Sequence, residues 1–233
     1  MNEPAPIVLI PGLGASPRLF AEQIPGLWRF GPVTIADHTR DDSMAGIARR
    51  ILESAPPRFA LIVLSMGGYI AFEILRQAPA RVSKLALLDT SARPDTPEQT
   101  EQRRTQIKLA RAGKFGEVMT LQFPRMVHPS RSGDEALRRV VLQMAQEAGP
   151  EAFVRQQEAI ITRPDSRAGL GAIRCPTLVL VGESDEITPP DRAREMADGI
   201  AGARLVVLKD CGHLSTLEQP AAVNRSLSAL LQS

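Results

Sequence analysis

Apolar and polar positions follow two different rhythms along this chain. Ile7 to Ile10, Val33 to Ala36, Ala60 to Leu64, Leu85 to Leu88, Thr177 to Val181 and Leu205 to Leu208 are short, largely uninterrupted apolar runs. They are too short for helices and rich in branched side chains, as strands covered on both faces must be. Between them the period becomes helical. Met44, Ile47, Ala48, Ile51 and Leu52 fall at i, i+3, i+4, i+7 and i+8, with Asp42 or Ser43 as a cap and Pro56-Pro57 as a stop. Ile70, Ile74 and Leu75 keep one face of a further helix that Pro79 ends, and Pro17 to Gln23, Pro190 to about Ala197 and Gln219 or Pro220 to Leu231 supply others. Strand alternating with helix predicts an α/β fold: a mostly parallel sheet of about six strands, joined by right-handed crossovers and flanked by helices.

The alternation stops between the fourth and fifth predicted strands. Residues 91–167 contain no strand-like run but several helical ones. Thr96-Pro97-Glu98 reads as a helix start, Ser132-Gly133-Asp134-Glu135 as a capping box, and Phe153, Val154, Ile160 and Ile161 as a helix after Pro150. A helical block inserted there must sit over the carboxyl edge of the sheet, where ligands bind in such folds. The expected organisation is therefore a core of residues 1–90 and 168–233 with a helical cap over 91–167, in which Met119, Leu121, Phe123 and Met126 can line an apolar pocket.

Composition narrows the picture. The 233 residues suffice for one well-buried domain with an insertion, and 28 basic against 26 acidic side chains leave a formal charge of +2. Those charges are spread without long runs, which argues against nucleic acid as a partner. Met1 to Pro6 lacks the basic start of a signal peptide and no apolar run is long enough to span a bilayer, so no membrane association and a cytoplasmic location are expected. Cys175 begins one strand and Cys211 follows the end of its neighbour, about 20 Å away at ~3.3 Å per residue, too far to pair. Cys211 reads as a small buried residue. The cysteines and histidines show no ligand spacing, so no metal is expected, nor any cofactor; the glycines match no dinucleotide or phosphate loop.

The chemistry concentrates at Ser65, the joint between the run Ala60 to Leu64 and the following helix. A serine squeezed there is pushed out of the sheet plane, above a helix N-terminus that favours negative charge. Its hydroxyl needs a base, and the chain has three histidines. His213 lies in a glycine-bearing loop just past the last strand and can lean toward Ser65; His38 and His128 read as solvated loop residues. Asp185, after the fifth strand, can orient the imidazole, with Glu183, Glu186 and Asp89 as competitors.

Ser65-Met66-Gly67, the turn Pro11-Gly12-Leu13-Gly14, the stretch Gly182-Glu183-Ser184-Asp185 and the run Gly212-His213-Leu214-Ser215-Thr216-Leu217-Glu218-Gln219-Pro220 together resemble the α/β-hydrolase fold family. The wording is most similar to small bacterial carboxylesterases and enol-lactone hydrolases. Two departures stand out: Val63 replaces the first glycine of G-x-S-x-G, which predicts crowding beneath the serine, and Pro11 replaces the usual histidine of His-Gly-x-Gly. The resemblance implies a nucleophile Ser65, a base His213 and an acid Asp185, in the chain order of this fold. It also implies an oxyanion hole from the backbone N–H groups of Leu13 and Met66. The expected activity is hydrolysis of a small or medium carboxylic ester or lactone through an acyl-enzyme. Carbon–carbon hydrolysis of a ring-fission product and cofactor-free perhydrolysis would use the same residues, and Val63 admits a binding protein with weak turnover.

Overall fold

The computed structural model describes residues 5–233. Six strands, β1 (Ile7–Ile10), β2 (Val33–Ile35), β3 (Phe59–Leu64), β4 (Val82–Leu88), β5 (Thr177–Gly182) and β6 (Arg204–Leu208), form one sheet in the order β2-β1-β3-β4-β5-β6. Every pairing is parallel. All six strands therefore end at the same edge, and loops leaving that edge can converge.

Both faces are covered, which is why β1, β3 and β5 are buried along their whole length. Ala60, Ile62 and Leu64 of β3 face one apolar cluster and Phe59, Leu61 and Val63 the other, following the two-residue period of a strand. The second cluster contains α2 (Met44–Ser54), α3 (Met66–Gln77) and α8 (Pro190–Gly199); the first contains α10 (Pro220–Gln232) and the helices that follow β4. Ser43 is the residue that caps α2, accepting from the Gly46 N–H at 3.2 Å.

Four helices occupy the chain between β4 and β5: α4 (Pro97–Arg111), α5 (Phe115–Met126), α6 (Glu135–Ala148) and α7 (Pro150–Ile161). Thr96 caps α4 with a reciprocal box to Gln99. At α6 the sequence expectation shifts by two residues: Asp134, not Ser132, is the cap, accepting from the amides of Ala136 and Leu137. A carboxylate directly before the first turn reaches two free amides and suits the positive end of the helix. A short helix α1 (Ile24–Leu27) and a single turn α9 (Ser215–Glu218) were not indicated by periodicity, because four residues are too few to show one. Both cysteines are free, and Cys211 is buried. Among the described residues no helix is long and apolar enough to cross a membrane.

Candidate active site

Ser65 joins β3 to α3 with φ 56° and ψ −117°, a conformation a residue with a Cβ adopts only under constraint. The surroundings supply that constraint. Its N–H is held by the Leu88 carbonyl at 3.0 Å, and its own carbonyl accepts from Thr90 Oγ1 at 2.7 Å. Glycine is required two and three positions on: a Cβ on Gly67 would lie 2.4 Å from the Ile10 oxygen, and one on Gly68 would lie 2.2 Å from Thr90 Oγ1. The turn forms with Val63 fully buried in the cluster under α3.

Strain at the joint aims the hydroxyl at the sheet's carboxyl edge, where the loops after β5 and β6 meet it. Ser65 Oγ lies 2.9 Å from His213 Nε2, and His213 Nδ1 lies 2.8 Å from Asp185 Oδ2. Asp185 is held in turn: its Oδ1 accepts from the amides of Ile187 (2.8 Å) and Thr188 (2.9 Å), and its Oδ2 from Thr188 Oγ1 at 2.8 Å. With a carboxylate on Nδ1, the proton of a neutral imidazole sits there and Nε2 is free to accept from the serine. Burial works against the charged imidazolium, but the Asp185 carboxylate and its hydrogen bond outweigh it and raise the His213 pKa above its ordinary 6.5.

The other sequence candidates fall elsewhere. Glu183 and Glu186 are exposed, and Glu186 faces Arg125 at 3.8 Å. Asp89 is fully buried, at φ 44°, and accepts from the Gly182 N–H at 2.9 Å while hydrogen bonding to Ser215 Oγ. It does not reach the imidazole. Burial, with the Asp185 charge close by, pushes its pKa up to about 8. His128 is half-buried and bonds to Ser130.

His38 corrects the sequence reading. It is buried, with Nε2 2.9 Å from the Gly12 carbonyl, and burial lowers its pKa, so the neutral ring donates to that oxygen. Gln156 of α7 completes the brace, accepting from the Gly14 N–H at 2.9 Å and donating to the His38 carbonyl at 3.3 Å. The turn between them, with Gly14 at φ 63°, packs so tightly that a Cβ on Gly12 would come within 3.2 Å of the Ser65 Cβ. Among the described residues, the N–H groups of Leu13 and Met66 have no acceptor, and both residues line the cavity beside Ser65.

Glu218 was also missed. Its Oε1 accepts from the Gly212 N–H at 3.0 Å and its Oε2 from the His128 N–H at 2.7 Å. The His213 and Leu214 amides both donate to the Met126 carbonyl, at 3.0 and 3.1 Å. The histidine loop is thus pinned at both ends. A glutamate five places after a loop histidine is visible in the sequence, but only the fold shows that it turns back.

A cavity of about 400 Å³ opens on Ser65 and His213. Met119, Val141, Met144 and Phe153 give it an apolar wall, and Arg103, Gln106 and Arg163 a polar one. Of the four side chains expected there, Met119 and Met126 line it; Phe123 is buried in the core and Leu121 is 72% exposed. A helix buries one face, so Leu121, two residues from Met119, points away.

A family model described as the alpha/beta hydrolase fold matches residues 5–220. The solved structure of a thermophilic esterase from Thermogutta terrifontis superimposes with a TM-score of 0.89 at 30% identity, covering 98% of this chain and 89% of that one. Among curated proteins, the chain is 27% identical to one from Variovorax paradoxus named as a carbamate hydrolase, RutD, over 95% of this chain and 89% of that protein. It is 29% identical to a pimeloyl-acyl-carrier-protein methyl ester esterase from Nitrosomonas europaea, over 77% and 73% respectively. The chain belongs to the alpha/beta hydrolase fold family and is a hydrolytic enzyme.

Proposed function

We propose that this protein is a serine hydrolase that cleaves a small or medium carboxylic ester or lactone through an acyl-enzyme. The observation that carries the reading is the unbroken chain of hydrogen bonds from Asp185 through His213 to Ser65. Ser65 Oγ attacks the carbonyl carbon as its proton passes to His213 Nε2, and Asp185 stabilises the imidazolium that forms. The charge that develops on the carbonyl oxygen is received by the N–H groups of Leu13 and Met66, the second reinforced by the amino end of α3. The carbon–oxygen bond then breaks, and His213 returns the proton to the departing oxygen. Water, deprotonated by the same imidazole, releases the acid and restores Ser65.

Residues 91–167 act as a cap over this site. Their helices supply Met119, Met126, Val141, Met144, Phe153 and Ile160 to the apolar wall of the cavity, and its modest volume suits small acyl groups. The similarity to an esterase and to a methyl ester esterase supports ester cleavage, and a cytoplasmic location accords with two free thiols.

A fluorophosphonate probe tests the nucleophile, alongside p-nitrophenyl esters of graded length and simple lactones. Rapid labelling and hydrolysis that both disappear in Ser65→Ala are expected. Labelling that persists in Ser65→Ala, or a wild-type protein that hydrolyses none of the panel, overturns the proposal.

A further inference from the structure

The polar wall of the cavity belongs to α4. Gln99, Gln102, Arg103 and Gln106 fall at i, i+3, i+4 and i+7, one face of that helix, and all four line the cavity. A buried chain of hydrogen bonds stands behind them. Asp95, with a side chain only 2% exposed, is held by Arg103 at 2.6 Å and by Arg163 at 2.7 Å. Arg103 Nη1 donates to Gln157 Oε1 at 2.8 Å, and Gln157 Nε2 donates to Gln106 Oε1 at 2.6 Å. Gln157 is fully buried. Burying so many polar groups is costly unless each is met.

The chain has a fixed direction. A guanidinium only donates, so Gln157 must turn its oxygen to Arg103 and its NH2 to Gln106. Gln106 must then offer its oxygen to Gln157, which leaves its own NH2 at the end of the chain. That group makes no hydrogen bond among the described residues and is not sealed from solvent. Gln106 is half-buried and lines the cavity, so the open donor is within reach of whatever fills it. The other two glutamines on this face of α4 are not oriented in this way. Gln99 gives its oxygen to the Thr96 amide, Gln102 bonds to nothing among the described residues, and both are exposed.

Resting on the serine-hydrolase reading for its chemistry, we infer that Gln106 donates from Nε2 to a carbonyl oxygen of the substrate remote from the scissile bond, which narrows the substrate class to an oxo ester or oxo lactone. A carbonyl only accepts, and so matches a chain end that only donates, whereas a hydroxyl would bring a proton of its own. Both guanidinium groups of the network are turned to Asp95, so a neutral oxygen suits this end better than a carboxylate. Arg103 at the head of the chain polarises it and strengthens the last donor. The apolar wall holds the carbon skeleton.

Matched substrates test this: p-nitrophenyl pentanoate against p-nitrophenyl levulinate, its oxo derivative, and the corresponding pair one methylene longer. Comparing each variant with wild type on both members of a pair cancels the intrinsic reactivity of the ester. Gln106→Leu should lower kcat/KM for the oxo member of one pair by about 3- to 10-fold more than for its plain partner, chiefly through KM. Gln157→Glu reverses the chain: a carboxylate only accepts, so Gln106 must turn its NH2 inward and show its oxygen to the cavity, and the oxo preference should fall likewise. Losses in Gln106→Leu that are equal for both members of each pair, or no loss on any, overturn the inference. If wild type hydrolyses none of these esters, the serine reading alone is sunk and binding decides. Methyl levulinate, methyl pentanoate and the pair one methylene longer are then titrated into Ser65→Ala and followed by protein NMR. The Kd of one oxo ester should rise at least about threefold when Gln106→Leu is added, and that of its plain partner by less. No binding of either oxo ester, or a Kd that Gln106→Leu leaves unchanged, overturns the inference.

Discussion

Gln156 and Gly14, 142 positions apart, meet at 2.9 Å, side-chain oxygen to backbone amide. Through this contact a helix of the insertion fixes the turn after β1, and the buried His38 ring fixes it from the other side. We predict that Gln156→Leu and His38→Ala each lower kcat by about 10- to 100-fold with little change in KM, because the freed turn displaces the Leu13 amide that the proposed mechanism assigns to the oxyanion. His38→Gln, which can still donate to the Gly12 carbonyl, should retain more activity than His38→Ala. Steady-state kinetics on folded variants decide it; a loss confined to KM would contradict the bracing role.

In the proposed mechanism the titration of His213 sets the pH profile. Its pKa lies above 6.5, since the Asp185 charge outweighs burial. The protonated ring cannot take the serine proton, so kcat/KM should rise with pH through a single ionisation above 6.5 and then level off. Asp185→Asn should lower the plateau by about 10⁴-fold and move the midpoint down, because burial is then opposed by less charge. A midpoint that stays in place would show that another group titrates.

Asp89 makes stability depend on pH in the opposite sense to an ion-paired carboxylate. Folded, it keeps its proton up to about pH 8; unfolded, it loses it near pH ~4. The folded chain therefore holds the extra proton between those values. The stabilisation is complete below the unfolded value and lost as pH rises through the folded one. Asparagine can accept from Gly182 and donate to Ser215 without titrating. Melting curves from pH 5 to 9 should show Tm falling more steeply for wild type than for Asp89→Asn, and parallel slopes would refute the assignment.

Val63→Gly restores the residue usual in the family but removes a side chain with no exposure to solvent. The cavity and the added chain freedom should cost about 2–4 kcal/mol, lowering Tm by roughly 5–15 °C for a chain of this size. Denaturant unfolding measures the loss. Unchanged stability would mean that the valine is as crowded as the sequence alone suggests.

The strands, their parallel order and the meeting of Ser65, Asp185 and His213 were legible because each rests on local pattern: a period-two run, a serine at the change of period, a loop after a strand. What escaped depends on contacts between distant segments. His38 looks like any residue of the polar run Asp37 to Asp42, and only its packing against the first turn makes it a buried donor. Glu218 and Gln156 are ordinary helix-forming residues until the fold brings backbone amides to them. Phe123 and Leu121 were misplaced for a related reason, since composition says a helix is apolar but only its neighbours say which face is buried.

His213 hangs from β6, one of the two edge strands, whose first residue is exposed and whose others are only half-buried, while Ser65 hangs from the fully buried β3. Outer strands open before inner ones. On gentle warming, hydrolysis should therefore fail while most of the sheet is still intact, and should come back promptly on cooling.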